Sequence, residues 1–380
     1  MRAREFIFEA AGKTIGRKYQ HVEDLVFTNG SVGGLHAVER LRSMATQGGT
    51  VETKVDGSPV VYWGRDDSGK FYLFPKNAWQ YIGAGSTQTK TGASTVIDSP
   101  QAMFNFITGT GNVDPSEEYK RKQFANEMAN LWPFFEKASP KKGFVEGGLL
   151  FYPGEPFRIN NQTRSYDIQP NVTTFHIPVD SDLGKRIKNA KIMVGATGYY
   201  TKIGSKEEGR LPGVEKLSTP EVIVLGTTYV ETAPNIDTSG LNKVERFIEQ
   251  NAQLIDNFLA PKPGLSSPGD VIYSYLNQTL RKPGLAQNFG AWAQTKLSKG
   301  QQQKLAADQQ GLTAVLNAVE MLTNEKMKLI QALSQGTHGG IKQTKPEGYV
   351  QAHPGVKFKH DLPGQFIKTI DQLNWAPRRD

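Results

Sequence analysis

Six consecutive residues, Glu52-Thr53-Lys54-Val55-Asp56-Gly57, set a lysine midway between two carboxylates and just ahead of a glycine. A lysine amine is a nucleophile only when deprotonated, which requires neighbouring cations or partial desolvation to lower its pKa. The Asp-Gly pair is turn chemistry, so the pattern predicts a lysine at the end of a strand, just before a tight turn. Lys-x-Asp-Gly alone arises by chance in roughly one chain of this length in ten, and a glutamate two residues before the lysine lowers that to well under about one in a hundred. The plain alternative is an exposed strand entering an Asp-Gly turn.

The hexapeptide resembles the covalent nucleotidyltransferase superfamily, the ATP-dependent DNA and RNA ligases and mRNA capping enzymes. Their nucleophile lies in Lys-x-Asp-Gly, and ligases often precede it with such a glutamate. Further elements follow in the family's order. Lys76-Asn77 stands where ligases carry a basic residue and a small turn. Val145-Glu146-Gly147-Gly148-Leu149 is similar to their carboxylate-Gly-x-Leu strand. Phe175, in Thr174-Phe175-His176-Ile177, sits where the family places an aromatic against the base. Glu347-Gly348-Tyr349-Val350 and Lys357-Phe358-Lys359 resemble the Glu-Gly-x-Val and Lys-x-Lys strands. The likeness spans Glu52 to Lys359. The chain is also similar to uncharacterised proteins of tailed phages, which says nothing of substrate.

The resemblance implies that Lys54 attacks the α-phosphate of ATP and becomes adenylylated. Lys357, Lys359 and a divalent metal, Mg2+ or Mn2+, would lower the pKa of Lys54 and neutralise charge growing on the phosphates. Glu146 and Glu347 would hold the metal or the ribose, because magnesium prefers hard oxygen donors. Glu52 would accept from the adenine amino group, Phe175 would stack on the ring, and Asp56, Gly57 and Lys76 would complete the nucleotide site. Each has an ordinary reading: a turn carboxylate for Glu146, core for Phe175, a solvated strand face for Lys357 and Lys359.

Departures from the family pattern matter equally. Pro59 stands where many members have an arginine for the ribose or a phosphate, with Arg65 as a possible substitute at different spacing, and Gly148 falls where many ligases have a second carboxylate. Only about twenty residues follow Lys359, too few for an oligonucleotide-binding β-barrel. RNA is therefore slightly favoured over DNA as the nucleic-acid partner, since RNA ligases more often dispense with that barrel. The rival readings are a capping-type guanylyltransferase, and a non-catalytic phage protein that keeps the fold to bind a nucleotide or nucleic acid.

The elements that must position these residues are legible in outline. Val60-Val61-Tyr62-Trp63, the turn Asp66-Asp67-Ser68-Gly69 and Phe71-Tyr72-Leu73-Phe74 read as a hairpin. A Gly, Ser and Thr-rich loop is expected over 83–94, a helix from Ser116 to about Trp132 ending at Pro133, and a strand over 143–152. Short strands alternate with turns over 173–230. From Leu241 to Gln335 apolar residues recur at helical spacing, divided by Pro261, Pro263, Pro268 and Pro283. Strand character returns at 348–350 and 356–358. The expectation is an α+β, ATP-grasp-like adenylation core of antiparallel sheets over 1–240 and 336–380, interrupted by a helical insertion at 241–335. That insertion could meet nucleic acid through Lys282, Lys296, Lys299, Lys304, Lys326 and Lys328, or dock a protein partner.

Composition bounds the remainder. The chain has 380 residues, 37% hydrophobic, enough for real cores. With no cysteine, disulfides, thiolate metal sites and cysteine nucleophiles are excluded, and six scattered histidines without His-Glu-x-x-His give no transition-metal pattern. No run approaches the roughly 20 apolar residues that span a bilayer, and Arg2, Arg4, Glu5 and Glu9 interrupt any apolar leader, so a cytoplasmic protein is expected, in the host cytoplasm if phage-encoded. A formal charge of +8 suits a polyanionic partner.

Overall fold

The two apolar runs beside Asp66 form the hairpin that their alternation predicts. In this computed structural model the Asp66 carboxylate accepts from the Ser68 amide and hydroxyl and from the Lys70 amide, and Gly69 takes φ +83°. Those hydrogen bonds, Ser68's first, hold the Asp66 carboxyl below its ordinary range, and the left-handed glycine lets the chain reverse.

The structure describes residues 19–46, 51–53, 55, 57–89, 92–109, 115–171, 173–205, 211–226, 228–229, 236–262, 267–279, 283–336, 339–344, 348–351 and 364–368. In chain order they form β1 (Tyr19–His21), α1 (Leu25–Thr46), β2 (Val51–Thr53), β3 (Val60–Arg65) and β4 (Phe71–Pro75). Four helices follow, α2 (Lys76–Gly83), α3 (Pro100–Gly109), α4 (Pro115–Asn130) and α5 (Trp132–Lys137). Next come β5 (Gly143–Phe151), β6 (Arg158–Asn160), β7 (Ser165–Ile168), β8 (Thr174–Pro178), α6 (Asp182–Ile187), β9 (Ile192–Tyr200), β10 (Val222–Leu225) and β11 (Thr228–Tyr229). Helices α7 (Ser239–Gln250), α8 (Ala252–Leu259), α9 (Pro268–Gln278), α10 (Leu285–Lys296), α11 (Lys299–Ala306) and α12 (Gln309–Leu333) precede β12 (Lys342–Thr344), β13 (Gly348–Gln351) and β14 (Gly364–Lys368).

The fold is α+β, and the described strands form three sheets. The first runs β1-β14-β13-β2-β11, the second β10-β9-β5-β3-β4, and the third β12-β8-β7-β6. Pairing is mostly antiparallel, but β1 with β14 and β10 with β9 are parallel, so the first two sheets are mixed rather than wholly antiparallel. No helix among the described residues is long and apolar enough to cross a membrane.

The long-range pairings explain why the chain's ends matter to its middle. Strand β2 lies between β13 and β11, contributed by segments nearly 300 and 175 residues later. Helix α1 buries Leu25, Val26, Val38 and Leu41 in one cluster with Val244, Ile248, Phe258, Val315 and Leu322 from the helical block. The block therefore shares its core with the segment before β2. A fully buried ion pair joins the same two regions, Lys326 of α12 donating to Glu23. Lys326 is thus a core residue and cannot meet phosphates, contrary to the sequence expectation.

Candidate functional site

The lysine motif lies at a crossing between two sheets. Thr53, the last residue of β2, pairs with Tyr349 of β13 on one side and Thr228 of β11 on the other. Two residues later, Val55 packs against the second and third sheets: its carbonyl lies against Gly195 of β9, and its side chain is buried with Leu150, Phe151 and Phe175. Gly57 rests on Gly148 of β5, where a Cβ added to Gly57 would come within 2.4 Å of the Gly148 backbone. The Ser58 amide then donates to the Leu149 carbonyl at 2.8 Å, and the Leu149 amide to the Pro59 carbonyl at 2.9 Å, across a cis Ser58–Pro59 peptide. Lys54 and Asp56 themselves, like Glu347, Lys357 and Lys359, lie outside the described residues. Their chain neighbours Thr53, Val55, Gly57 and Gly348 do not, and all four are strand or sheet-contacting positions.

Glu52 is 3% exposed and sits opposite Val350 and Tyr229 in the first sheet. Its carboxylate is turned inward from a strand that ends one residue before Lys54. Tyr349, beside Thr53, is 1% exposed, and burial pushes its phenol pKa up, so it stays a neutral hydroxyl.

Glu146 lies near the centre of β5, half-buried, directly across from Tyr62 of β3 and Gly198 of β9. The Tyr200 hydroxyl donates to its Oε2 at 2.7 Å. The Tyr62 ring stacks on Trp79 with centroids 4.6 Å apart and meets Tyr200 edge-on at 5.5 Å. The Tyr200 phenol therefore helps to orient the carboxylate, on a strand flanked by this aromatic cluster. A carboxylate offers about four acceptor positions, so the bond from Tyr200 is compatible with metal ligation by the same group. Among the described residues no group of three or more His, Asp or Glu is placed to hold a metal. Glu146 is thus the one described member of the expected metal pair.

Lys76 opens α2 immediately after β4, so the expected small turn is a helix start. Val61 lies between Pro75 and Gly147, which puts the first residue of α2 at the end of the second sheet where Gly57 crosses. Lys76 is half-buried and forms no ion pair among the described residues. Phe175 pairs with Ile168 and Gln343 and is 1% exposed, in the cluster that contains Val55. Its ring is fully packed here; a base could stack on it only if that layer opened. Arg65 does not stand in for the missing arginine. Its guanidinium donates to the Gly69 and Glu136 carbonyls at the far end of the hairpin.

The described structure thus sets Gly57 against the strand that carries Glu146, with Glu52 on the strand that leads into the crossing and Lys76 at the sheet end beside it, while Phe175 is packed beneath Val55 and Arg65 lies away. Tyr62, Trp79 and Tyr200 were not evident from sequence. Tyr200 pairs with Phe144 and reaches Glu146 diagonally, next to the β-bulge between Glu146 and Gly147, a register that no sequence spacing reveals.

Against known families, residues 18–79 and 113–360 match DUF6267, described as a family of unknown function. The chain belongs to the DUF6267 family. The matched stretches include every candidate site residue and leave out 80–112, which holds the end of α2, the loop after it and helix α3. No curated protein and no solved structure matches this DUF6267 chain.

Proposed function

We propose that this DUF6267 protein is an ATP-dependent, polynucleotide ligase-like nucleotidyltransferase that uses Lys54 as its nucleophile. In this reading the α+β fold is a ligase-type adenylation core. The supporting observation is the crossing of the lysine motif between two sheets: the residues flanking Lys54 are fixed on one side beside the strand that follows Glu347, and on the other beside the strand that carries Glu146. Lys54 and Glu347, 293 positions apart in sequence, are needed together by one reaction, and the strands next to them are paired.

The Lys54 amine, once deprotonated, attacks the α-phosphorus of ATP. The N–P bond of a lysyl-AMP forms, the bond to the β-phosphate oxygen breaks, pyrophosphate leaves and the amine proton passes to solvent. A nucleic-acid 5′-phosphate oxygen then attacks the same phosphorus and releases Lys54, and a 3′-hydroxyl displaces AMP to join the ends, with RNA slightly favoured. A divalent metal, when bound, supplies positive charge to the phosphates. Glu146 and Glu347 would hold it, Glu52 would receive the adenine amino group, and Lys76, Lys357 and Lys359 would meet phosphate oxygens.

Two observations favour a second reading, a non-catalytic nucleotide-binding relative: Arg65 is committed to the hairpin tip and Phe175 is closed within the core. Incubation with α-labelled ATP, and separately α-labelled GTP, in Mg2+ or Mn2+ distinguishes them. An acid-labile, base-stable label from ATP that Lys54→Ala abolishes supports the ligase-like reading. Label from GTP alone supports the capping type. Absence of label from a folded protein that still binds ATP supports the second reading.

A further inference from the structure

The outward face of the third sheet carries a hydrogen-bonded chain that the nucleotidyltransferase reading does not use. Residues Tyr166, Ile168, Phe175 and Ile177 point into the core, so their neighbours on the same strands face the other way. On that face Ser165, Asp167, His176 and Thr344 come from three adjacent strands, β7, β8 and β12. His176 Nδ1 is 2.8 Å from Asp167 Oδ1, and His176 Nε2 is 2.7 Å from Thr344 Oγ1. Ser165 donates to Asp167 Oδ1 at 2.7 Å and Asn160 to its Oδ2 at 3.1 Å.

The proton positions follow from these partners. Burial raises the Asp167 pKa, but the bonds from Ser165, His176 and Asn160 outweigh it and hold the group below the ordinary carboxylate range. An ionised Asp167 has no proton to give, so His176 must donate through Nδ1. In the neutral ring Nε2 is then an acceptor, and the Thr344 hydroxyl is its donor. The arrangement is a hydroxyl, a base and an orienting carboxylate within hydrogen-bonding distance, the geometry by which such triads are recognised irrespective of fold. It is open to a reactant, since the Thr344 residue is exposed and the His176 and Asp167 side chains are 27% and 19% exposed.

Two cations flank the chain in register. Lys342, His176, Asp167 and Arg158 form one row across β12, β8, β7 and β6. Lys342 and Thr344 share a face of β12, and Lys342 and Arg158 are exposed, with no ion pair among the described residues. An ammonium two residues from the hydroxyl is placed to meet negative charge growing on a carbonyl oxygen.

We propose that Thr344 is a nucleophile for acyl transfer, with His176 as its general base and Asp167 orienting the ring, acting on carboxylic esters with an accessible carbonyl. The Thr344 proton passes to His176 Nε2 as Oγ1 bonds to the carbonyl carbon. The bond to the leaving alkoxide breaks, the alkoxide takes the proton from His176, and water hydrolyses the acyl-threonine by the reverse proton path.

The full chain is treated with a fluorophosphonate probe and, separately, with p-nitrophenyl acetate, and the adduct is located by peptide mass spectrometry. The expected result is an adduct on Thr344 that Thr344→Val removes. His176→Ala should slow ester hydrolysis by about 100-fold or more, with part of the rate restored by added imidazole. Folded wild-type protein carrying no adduct on Thr344 overturns the proposal. So does a His176→Ala variant that reacts at the wild-type rate, or one that loses the adduct and gains nothing from imidazole, which makes the histidine a clasp between strands only.

Discussion

Gly57 and Gly148 meet backbone to backbone, so closely that a Cβ added to Gly148 would lie 2.5 Å from the Gly57 amide nitrogen. The contact leaves no room for a side chain at Gly148, where the proposed ligase likeness would put a second carboxylate: the backbone of Gly57 occupies that space.

Gly148→Ala should accordingly destabilise the protein by about 1–3 kcal/mol, the usual result of forcing atoms into a filled site. The nearest atoms are main chain and cannot swing aside. Thermal or urea unfolding reads the loss. Because the displaced backbone is that of the lysine motif, adenylyl labelling should fall further than the folded fraction does. Wild-type stability in Gly148→Ala would show that the loop is not packed there.

Tyr200→Phe removes one hydroxyl and leaves the aromatic wall of Tyr62 and Trp79 intact. The hydroxyl is the donor to Glu146 Oε2, and Tyr200 is 8% exposed. Its loss should cost about 0.5–1.5 kcal/mol of stability and remove one of the restraints on the carboxylate. If Glu146 ligates the metal, the Mg2+ concentration needed for half-maximal labelling should rise in Tyr200→Phe and rise further in Glu146→Gln. A titration unchanged in both variants would remove Glu146 from the metal site.

How far the sequence announces this fold depends on how local the cause is. The hairpin was legible because Asp66 and Gly69 make its turn with their own side chain and backbone. The helical character of 241–335 was legible from apolar spacing in the segments of α7, α8 and α12, though not its division into six helices; Pro268 and Pro283 stand at or just before helix starts, where a proline's missing amide costs nothing. Pro133 was read as a helix end and instead lies in the first turn of α5, for the same reason. Helix α1 was not legible. Its segment Thr28-Asn29-Gly30-Ser31-Val32-Gly33-Gly34 is poor in helix formers, and the helix is kinked at Asn29 and Gly30. Tertiary packing decides it: Ser31 is held by Asp256, and a Cβ on Gly34 would strike Ile248 at 2.9 Å. At the candidate site, motif order marked Glu52, Gly57 and Glu146, while the aromatic surround of Glu146 depends on strand register and had no local signal.

The buried pair Lys326–Glu23 should behave asymmetrically. Both side chains are 0% exposed, so removing one takes the opposite charge it is bonded to away from the other in a low-dielectric core, where Glu23 also lies 3.7 Å from His21 Nδ1. Lys326→Met alone should cost about 3–5 kcal/mol, while Lys326→Met combined with Glu23→Leu should recover most of that. Unfolding measured across the four proteins gives the coupling energy. Additive losses in the double variant would mean that the pair does not tie α12 to the segment before α1.

The same shared core changes how the helical block can be tested for nucleic-acid binding. Removing residues 241–335 would expose the buried face of α1, including Leu25, Val26, Val38 and Leu41, so the truncated chain is expected to aggregate rather than report on function. Surface substitution is the workable route. Lys326 is buried and Lys328 is bonded to Glu325, whereas Lys296 and Lys299 are exposed and Lys304 is partly so. The stretch 241–335 holds ten basic residues against seven acidic ones, too small an excess for general attraction, so binding would have to come from particular lysines. Lys296→Gln, Lys299→Gln and Lys304→Gln together should leave self-adenylylation intact. If all three meet phosphates of a single strand, the slope of log binding constant against log salt should become shallower by roughly two, at about 0.7 per contact. An unchanged slope in the folded triple variant would mean that the block faces some other partner.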